Sequence, residues 1–203
     1  MSNNRAEIEA AHVPKWFIDS CLKISYLFPR AHAVAYVMMA FRIAWFKINY
    51  PLAFYASYFT IRAEGSFDAL TILKGFEAQK AELRRIAALD HPSNVEKDCA
   101  TVIEVAAEMY LRGYEFMPIS LEKSSATEFL ILDNKILPPF NCIPALGEQV
   151  AKEIVEARNE APFSSKEDLR KRGKVSQSII DTMDEMGILK GLPEEEQLNL
   201  FAF

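Results

Sequence analysis

Between residues 31 and 61 the chain carries its most apolar stretch, and the spacing inside it restricts the fold more than any other feature. Val34, Val37, Met38, Phe41, Trp45 and Ile48 recur every three or four residues, the period of one helix face, and Pro51 closes the run. Tyr36, Met39 and Phe46 make the other face largely apolar too. The expected element is a helix of about four turns, buried on most of its sides at the centre of a first domain. Arg42 and Lys47 divide the run into uncharged stretches shorter than the roughly 18 residues of a membrane-spanning helix. A buried helix of a soluble protein is therefore expected, and no membrane partner.

A chain of 203 residues that is 50% hydrophobic can bury one substantial core, or one larger and one smaller. Its net charge of −5 excludes a protein that coats nucleic acid with its whole surface, because phosphate contacts need concentrated Lys and Arg. Any such contact must be local. Cys21, Cys99 and Cys142 are widely spaced and odd in number, and His12, His32 and His91 are scattered. Neither a disulfide framework nor a metal site has that spacing, and no metal ligand or nucleophilic triad is expected. Residues 1–11 are polar, unlike a secretion signal, so a reducing cytoplasm is the expected compartment.

Further along, residues 52–62 fit a short second helix. Ser66 is placed as the N-cap of a third, through Leu70, Leu73, Phe76, Leu83 and Ile86. Ser93 and Glu96 form the Ser-x-x-Glu box of a fourth, through Val102, Val105 and Met109, which Gly113 ends. From 114 to 137 the β-branched and aromatic residues and the Asp133-Asn134 pair predict short extended segments, closed by Pro138-Pro139. Three short helical patterns follow, at 148–158, 166–171 and 177–186, and from Gly191 the chain reads as a tail. The fold class is mainly α: a helical bundle over residues 1–115, a small domain over 116–190 with short extended segments, and a flexible C-terminal peptide over 191–203.

Three features point to function. Residues 20–63 hold Lys23, Arg30, Arg42, Lys47 and Arg62 and no acidic residue, a local cationic excess that suits a polyanion or else neutralises acids on other helices. Ile143-Pro144-Ala145-Leu146-Gly147, then Val150 and Ile154, resembles a helix-hairpin-helix element, in which a tight turn and a helix N-terminus offer backbone N–H groups to a phosphate without reading bases. Ala145 stands where the motif has its first glycine, and Gly173-Lys174-Val175-Ser176 departs further from the pattern, so hairpins that only pack are the alternative. Arg170, Lys171, Arg172 and Lys174 would add phosphate contacts, with Ala145 and Gly147 at the first hairpin. The third feature is Gln197-Leu198-Asn199-Leu200-Phe201, an apolar peptide after three glutamates, of the kind a hydrophobic cleft on a partner takes up. Asp181 and Asp184 read as a solvated acidic face.

Together these segments resemble the end of the C-family bacterial replicative DNA polymerase III alpha subunits, PolC type. Residues 26–60 are similar to the fingers helices, 138–173 to the helix-hairpin-helix region and the closing Gln-Leu-x-Leu-Phe to the clamp-binding peptide. The resemblance implies that Arg30 and His32 face the incoming nucleotide, and that Gln197, Leu198, Leu200 and Phe201 dock on the sliding clamp (beta subunit). It further implies that catalytic aspartates and their Mg2+ ions lie in a part of the polymerase chain absent from this sequence, so the fragment alone is expected to be inactive. The implied partners are primer-template DNA, deoxynucleoside triphosphates, the clamp and the rest of the polymerase chain. A stand-alone DNA-binding, clamp-recruiting adaptor without catalysis is the alternative.

Overall fold

The computed structural model describes residues 5–23, 29–62 and 65–195. By their contacts the residues group into two units, 1–45 and 46–203. The first contains α1 (Arg5–Ala10), α2 (Lys15–Lys23) and most of α3 (Arg30–Asn49). Pro14 starts α2 by accepting from the N–H groups of Phe17 and Ile18, and Ile18 is its buried residue. The expectation of a buried α3 is not met. No residue of this helix is buried, and Tyr36, Phe41, Trp45 and Ile48 are between 52% and 72% exposed. Arg42 and Lys47 do not shorten it: α3 is 20 residues long and, by length and apolarity alone, is the one described helix that passes the test for a membrane span.

Within the second unit Pro51, which ends the apolar run, takes the first position of α4 (Pro51–Arg62), the short helix expected over residues 52–62. The single third helix expected after Ser66 is two: α5 (Ala69–Ile72), capped by the Asp68 carboxylate on Thr71 N–H, and α6 (Phe76–Ala87). Gly75 separates them at φ 97°, a conformation that interrupts a helix and that residues with a Cβ rarely adopt. α7 (Asn94–Leu111) starts at the expected box, with Glu96 N–H on Ser93 Oγ at 3.2 Å and Ser93 N–H on Glu96 Oε2 at 2.8 Å. The Ser93 N–H and hydroxyl, both donating to the carboxylate, hold the Glu96 carboxyl below its usual range. Gly113, at φ 83°, follows its end.

The extended segments form one hairpin, β1 (Leu130–Leu132) antiparallel to β2 (Lys135–Leu137), around Asp133 and Asn134 at φ 49° and 60°, the conformation of a tight type I′ turn. Phe116 joins β2 alongside Ile136. α4, α5, α7 and this hairpin enclose a core at which four phenylalanines meet. The Phe59 ring lies 5.7, 5.1 and 5.6 Å from those of Phe67, Phe116 and Phe129, and none of the four is more than 9% exposed.

A 3-10 turn (Phe140–Cys142), α8 (Glu148–Glu160), α9 (Lys166–Arg172) and α10 (Gln177–Glu185) are the last elements among the described residues. They pack around Ile143, Leu146, Ile154, Leu169 and Met183. The two cores interleave: Ile119 belongs to the second, Phe129 and Ile136 to the first, and Leu73 and Met186 border both. The division expected at 115/116 is therefore not a gap in packing. Within the stretch expected as a tail, Leu192 packs on the second core and Pro193 and Glu194 are hydrogen-bonded to α9.

Candidate nucleic-acid interface

The first hairpin is built from one buried residue on each side of an exposed turn. Ile143 N–H donates to Phe140 O at 2.9 Å and Leu146 N–H to Ile143 O at 3.0 Å, while both side chains enter the core. Ala145 sits between them, exposed, at φ 63°. An alanine there costs on the order of 1–2 kcal/mol relative to a right-handed conformation, which is why the motif favours glycine; here the buried flanks hold the turn without it. Gly147 then starts α8 with no side chain capping the first turn. The amino end of a 13-residue helix, with its unpaired N–H groups and positive dipole end, is thus presented beside an exposed turn. The turn forms one wall of an open cleft of about 480 Å³, faced by Phe59, Gly65, Phe67, Asp68 and Phe129.

The sequence of the second hairpin departs from the motif, but its backbone does not. Lys174 stands at φ 52°, Val175 is buried, and Ser176 starts α10 at φ −71°, ψ 156°, beside −72° and 161° for Gly147. The offset of one left-handed residue, one buried aliphatic and one cap is shared by Ala145-Leu146-Gly147 and Lys174-Val175-Ser176. The correspondence is one of position rather than of residue identity. Gly173 is needed for a separate reason: a Cβ there would meet Leu169 O at 2.8 Å.

The predicted cationic cluster separates into two groups. Arg170, Lys171 and Lys174 are exposed on α9 and the second hairpin. Lys171 pairs with Glu167 at 2.8 Å and Lys174 with Glu153 at 3.1 Å; such exposed pairs contribute little and can exchange a carboxylate for a phosphate. Arg172 is different: its guanidinium is engaged within the module. Its guanidinium donates to Ala157 O, to Ala161 O at 2.9 Å and to Pro162 O at 3.4 Å, pairs with Asp168 at 3.1 Å and lies 5.0 Å from the Phe163 ring centre. It closes the carboxyl end of α8. Burial raises the Asp168 pKa, but the Ser164 N–H and Arg172 outweigh it and hold the carboxyl below its usual range. Apart from Asp168, the acceptors of Arg172 are backbone carbonyls, which no residue pattern announces.

Arg30 and His32 lie exposed in the first turn of α3, His32 with its ring 4.4 Å from that of Tyr36. Of the other cations in that stretch, Lys47 pairs with Glu108 at 2.5 Å, the neutralising role that its spacing had left open. Asp181 accepts from Gln177 and Asp184 pairs with Lys166. Among the described residues no three His, Cys, Asp or Glu side chains converge. Gln197, Leu198, Leu200 and Phe201 lie outside the described residues.

Residues 113–198 match the family described as "Helix-hairpin-helix motif". Over nearly its whole length the chain is also similar to proteins named DNA polymerase III PolC-type. It is 53% identical to that of Listeria welshimeri over 193 residues, 95% of this chain and 13% of the relative. Identity is 51% to that of Thermotoga maritima over 196 residues, 97% of this chain and 14% of the relative, and 52% to that of Bacillus subtilis over 197 residues, 96% and 14%. The chain thus spans about 13% of the length of these relatives.

Replacing Arg172 by Ala is expected to lower stability by about 2 kcal/mol, the scale of losing a charged hydrogen-bond donor, with duplex affinity in the folded fraction nearly unchanged. Arg170→Ala should do the reverse. Urea unfolding beside duplex titration of both variants measures the difference.

Proposed function

We propose that this homologue of one segment of the PolC-type DNA polymerase III proteins supplies the duplex-holding, nucleotide-facing and clamp-docking part of a replicative DNA polymerase. The observation that carries this reading is the uncapped amino end of α8 presented by an exposed turn, in a chain 53% identical to its relative over 95% of its length. Backbone N–H groups grip phosphates wherever they fall along a duplex, which is what an enzyme moving along DNA requires. Arg170, Lys171 and Lys174 add local positive charge beside the second hairpin, so that binding is non-specific and electrostatic.

In this reading nucleotide transfer, and the Mg2+ ions that support it, belong to other segments of the polymerase, and a cytoplasmic setting follows from chromosome replication. α3 fits the same picture. A helix apolar on all sides is a buried helix, and its cover would come from the rest of the polymerase chain rather than from a membrane. Arg30 and His32, at its exposed start, would meet the triphosphate of an incoming nucleotide. Residues 197–201 would dock on the sliding clamp. The alternative adaptor without catalysis needs α3 to be covered by something other than polymerase.

Three outcomes follow. The 203-residue chain should bind duplex DNA of any sequence with a log–log salt slope of about −2 to −3, for two or three neutralised phosphates. Combined Ala substitution of Arg170, Lys171 and Lys174 should flatten that slope; a flat slope in the unaltered chain refutes duplex binding. In the intact polymerase, Arg30→Ala and His32→Ala should raise nucleotide KM or lower kcat at unchanged primer-template affinity. Lost DNA affinity with normal nucleotide kinetics would remove them from the nucleotide site. A peptide of residues 194–203 should bind the clamp with Kd on the order of micromolar, and Leu200→Ala with Phe201→Ala should abolish binding, by calorimetry.

A further inference from the structure

Beyond Leu189 the chain turns back over α9. Leu189 is buried and Leu192 packs on the second core. Pro193 O then accepts from Lys166 N–H at 2.8 Å and Glu194 O from Glu167 N–H at 3.0 Å. Two of the first-turn amides of α9 are thereby satisfied by this returning segment. The side chains add a second contact. Lys166 Nζ lies 2.6 Å from Glu194 Oε1 and 3.0 Å from Asp184 Oδ2, with the lysine side chain 13% exposed and that of Glu194 78% exposed. Both carboxylates raise the Lys166 pKa, Glu194 foremost. Glu194 and Glu195 line a small polar cleft of about 210 Å³ whose other walls include Lys166, Arg170 and Gln177.

The cations of this cleft continue the surface formed by Arg170, Lys171 and Lys174. α9 spans seven residues, about 10 Å, from Lys166 at its start to the second hairpin at its end. A carboxylate on a lysine ammonium makes the charge-assisted bond that a phosphate oxygen would make, and two glutamates over the cleft repel phosphate. Glu194 is exposed enough to leave, while its backbone contact and Leu192 keep the segment nearby.

Resting on the reading of this module as duplex-binding, we propose that Glu194, with Glu195 beside it, forms an internal substitute for DNA phosphate that masks Lys166 until the segment is drawn off α9. A partner that engages the residues after Glu195 competes with the mask, so such engagement and DNA grip strengthen each other, and by linkage to the same degree in both directions. The mask belongs to the module itself and keeps its grip weak when nothing holds the end of the chain.

The test uses the 203-residue chain and a fluorescent duplex, titrated by anisotropy from low to moderate salt. Glu194→Gln with Glu195→Gln leaves the backbone bonds in place and should tighten binding several-fold while steepening the log–log slope by about 1, one more phosphate neutralised. Lys166→Met alone should change affinity little, yet on the Gln background it should remove the gain. Glu122→Gln with Glu128→Gln, which removes the same charge elsewhere, should produce a smaller effect. Equal gains from both glutamine pairs, or a gain that survives Lys166→Met, overturn the mask. If the unaltered chain binds DNA and the Gln pair does not change it, the mask is wrong and the duplex reading stands. If no variant binds DNA at all, both fall.

Discussion

Four phenylalanine rings bring together parts of the chain that are far apart in sequence. Phe59 comes from α4, Phe67 from the turn before α5, Phe116 from the residue that joins β2, and Phe129 from the entry to β1. Phe67 lies 5.4 Å from Phe116 and 5.0 Å from Phe129, so the contacts form a closed set rather than a row. Each buried ring contributes apolar area, and edge-to-face geometry adds about 0.5–1.5 kcal/mol per pair beyond it. Phe59, Phe67 and Phe129 also line the cleft beside the first hairpin. The wall opposite the uncapped end of α8 is thus the outer surface of the aromatic core, and the rigidity of that core sets the width of the cleft.

What was legible in the sequence was local. The Ser93–Glu96 box, the Asp133-Asn134 turn and the three closing helices depend on residues within a few positions of one another, and the structure has them where their spacing placed them. The break at Gly75 was missed because an apolar period continued across it, and only the backbone conformation reveals that the helix stops. In the hairpins the turn is legible from Pro144 and Gly147, and its repeat is placed at Gly173-Lys174-Val175-Ser176, but the repeat's shared geometry is not, because Lys174 replaces a small residue at the left-handed position. Arg172 illustrates a third limit. A guanidinium beside three other cations resembles a phosphate ligand by composition, and only the carbonyls of Ala157, Ala161 and Pro162 assign it to α8.

The exposure of α3 has the same origin on a larger scale. Periodicity states that a helix has apolar faces; it does not state which polypeptide covers them. A helix apolar all round is expected at the centre of a structure, and the relatives, of which this chain makes up 13%, are long enough to provide that centre.

The net charge of −5 looks unfavourable for the proposed DNA-holding role until the source of the grip is considered. Backbone N–H groups and helix dipoles carry no formal charge, so hairpins can bind phosphate in a chain whose side chains are on balance acidic. The acids then have a different consequence. Glu153, Glu167 and Glu194 each lie within 3.1 Å of a lysine on α9 or the second hairpin, so phosphate must displace a carboxylate at each of these cations. Exchange of one anion for another gains less than filling an empty site, which lowers affinity while leaving attraction dependent on salt. In the proposed duplex-holding role, that balance would favour many weak, interchangeable contacts over a few strong ones.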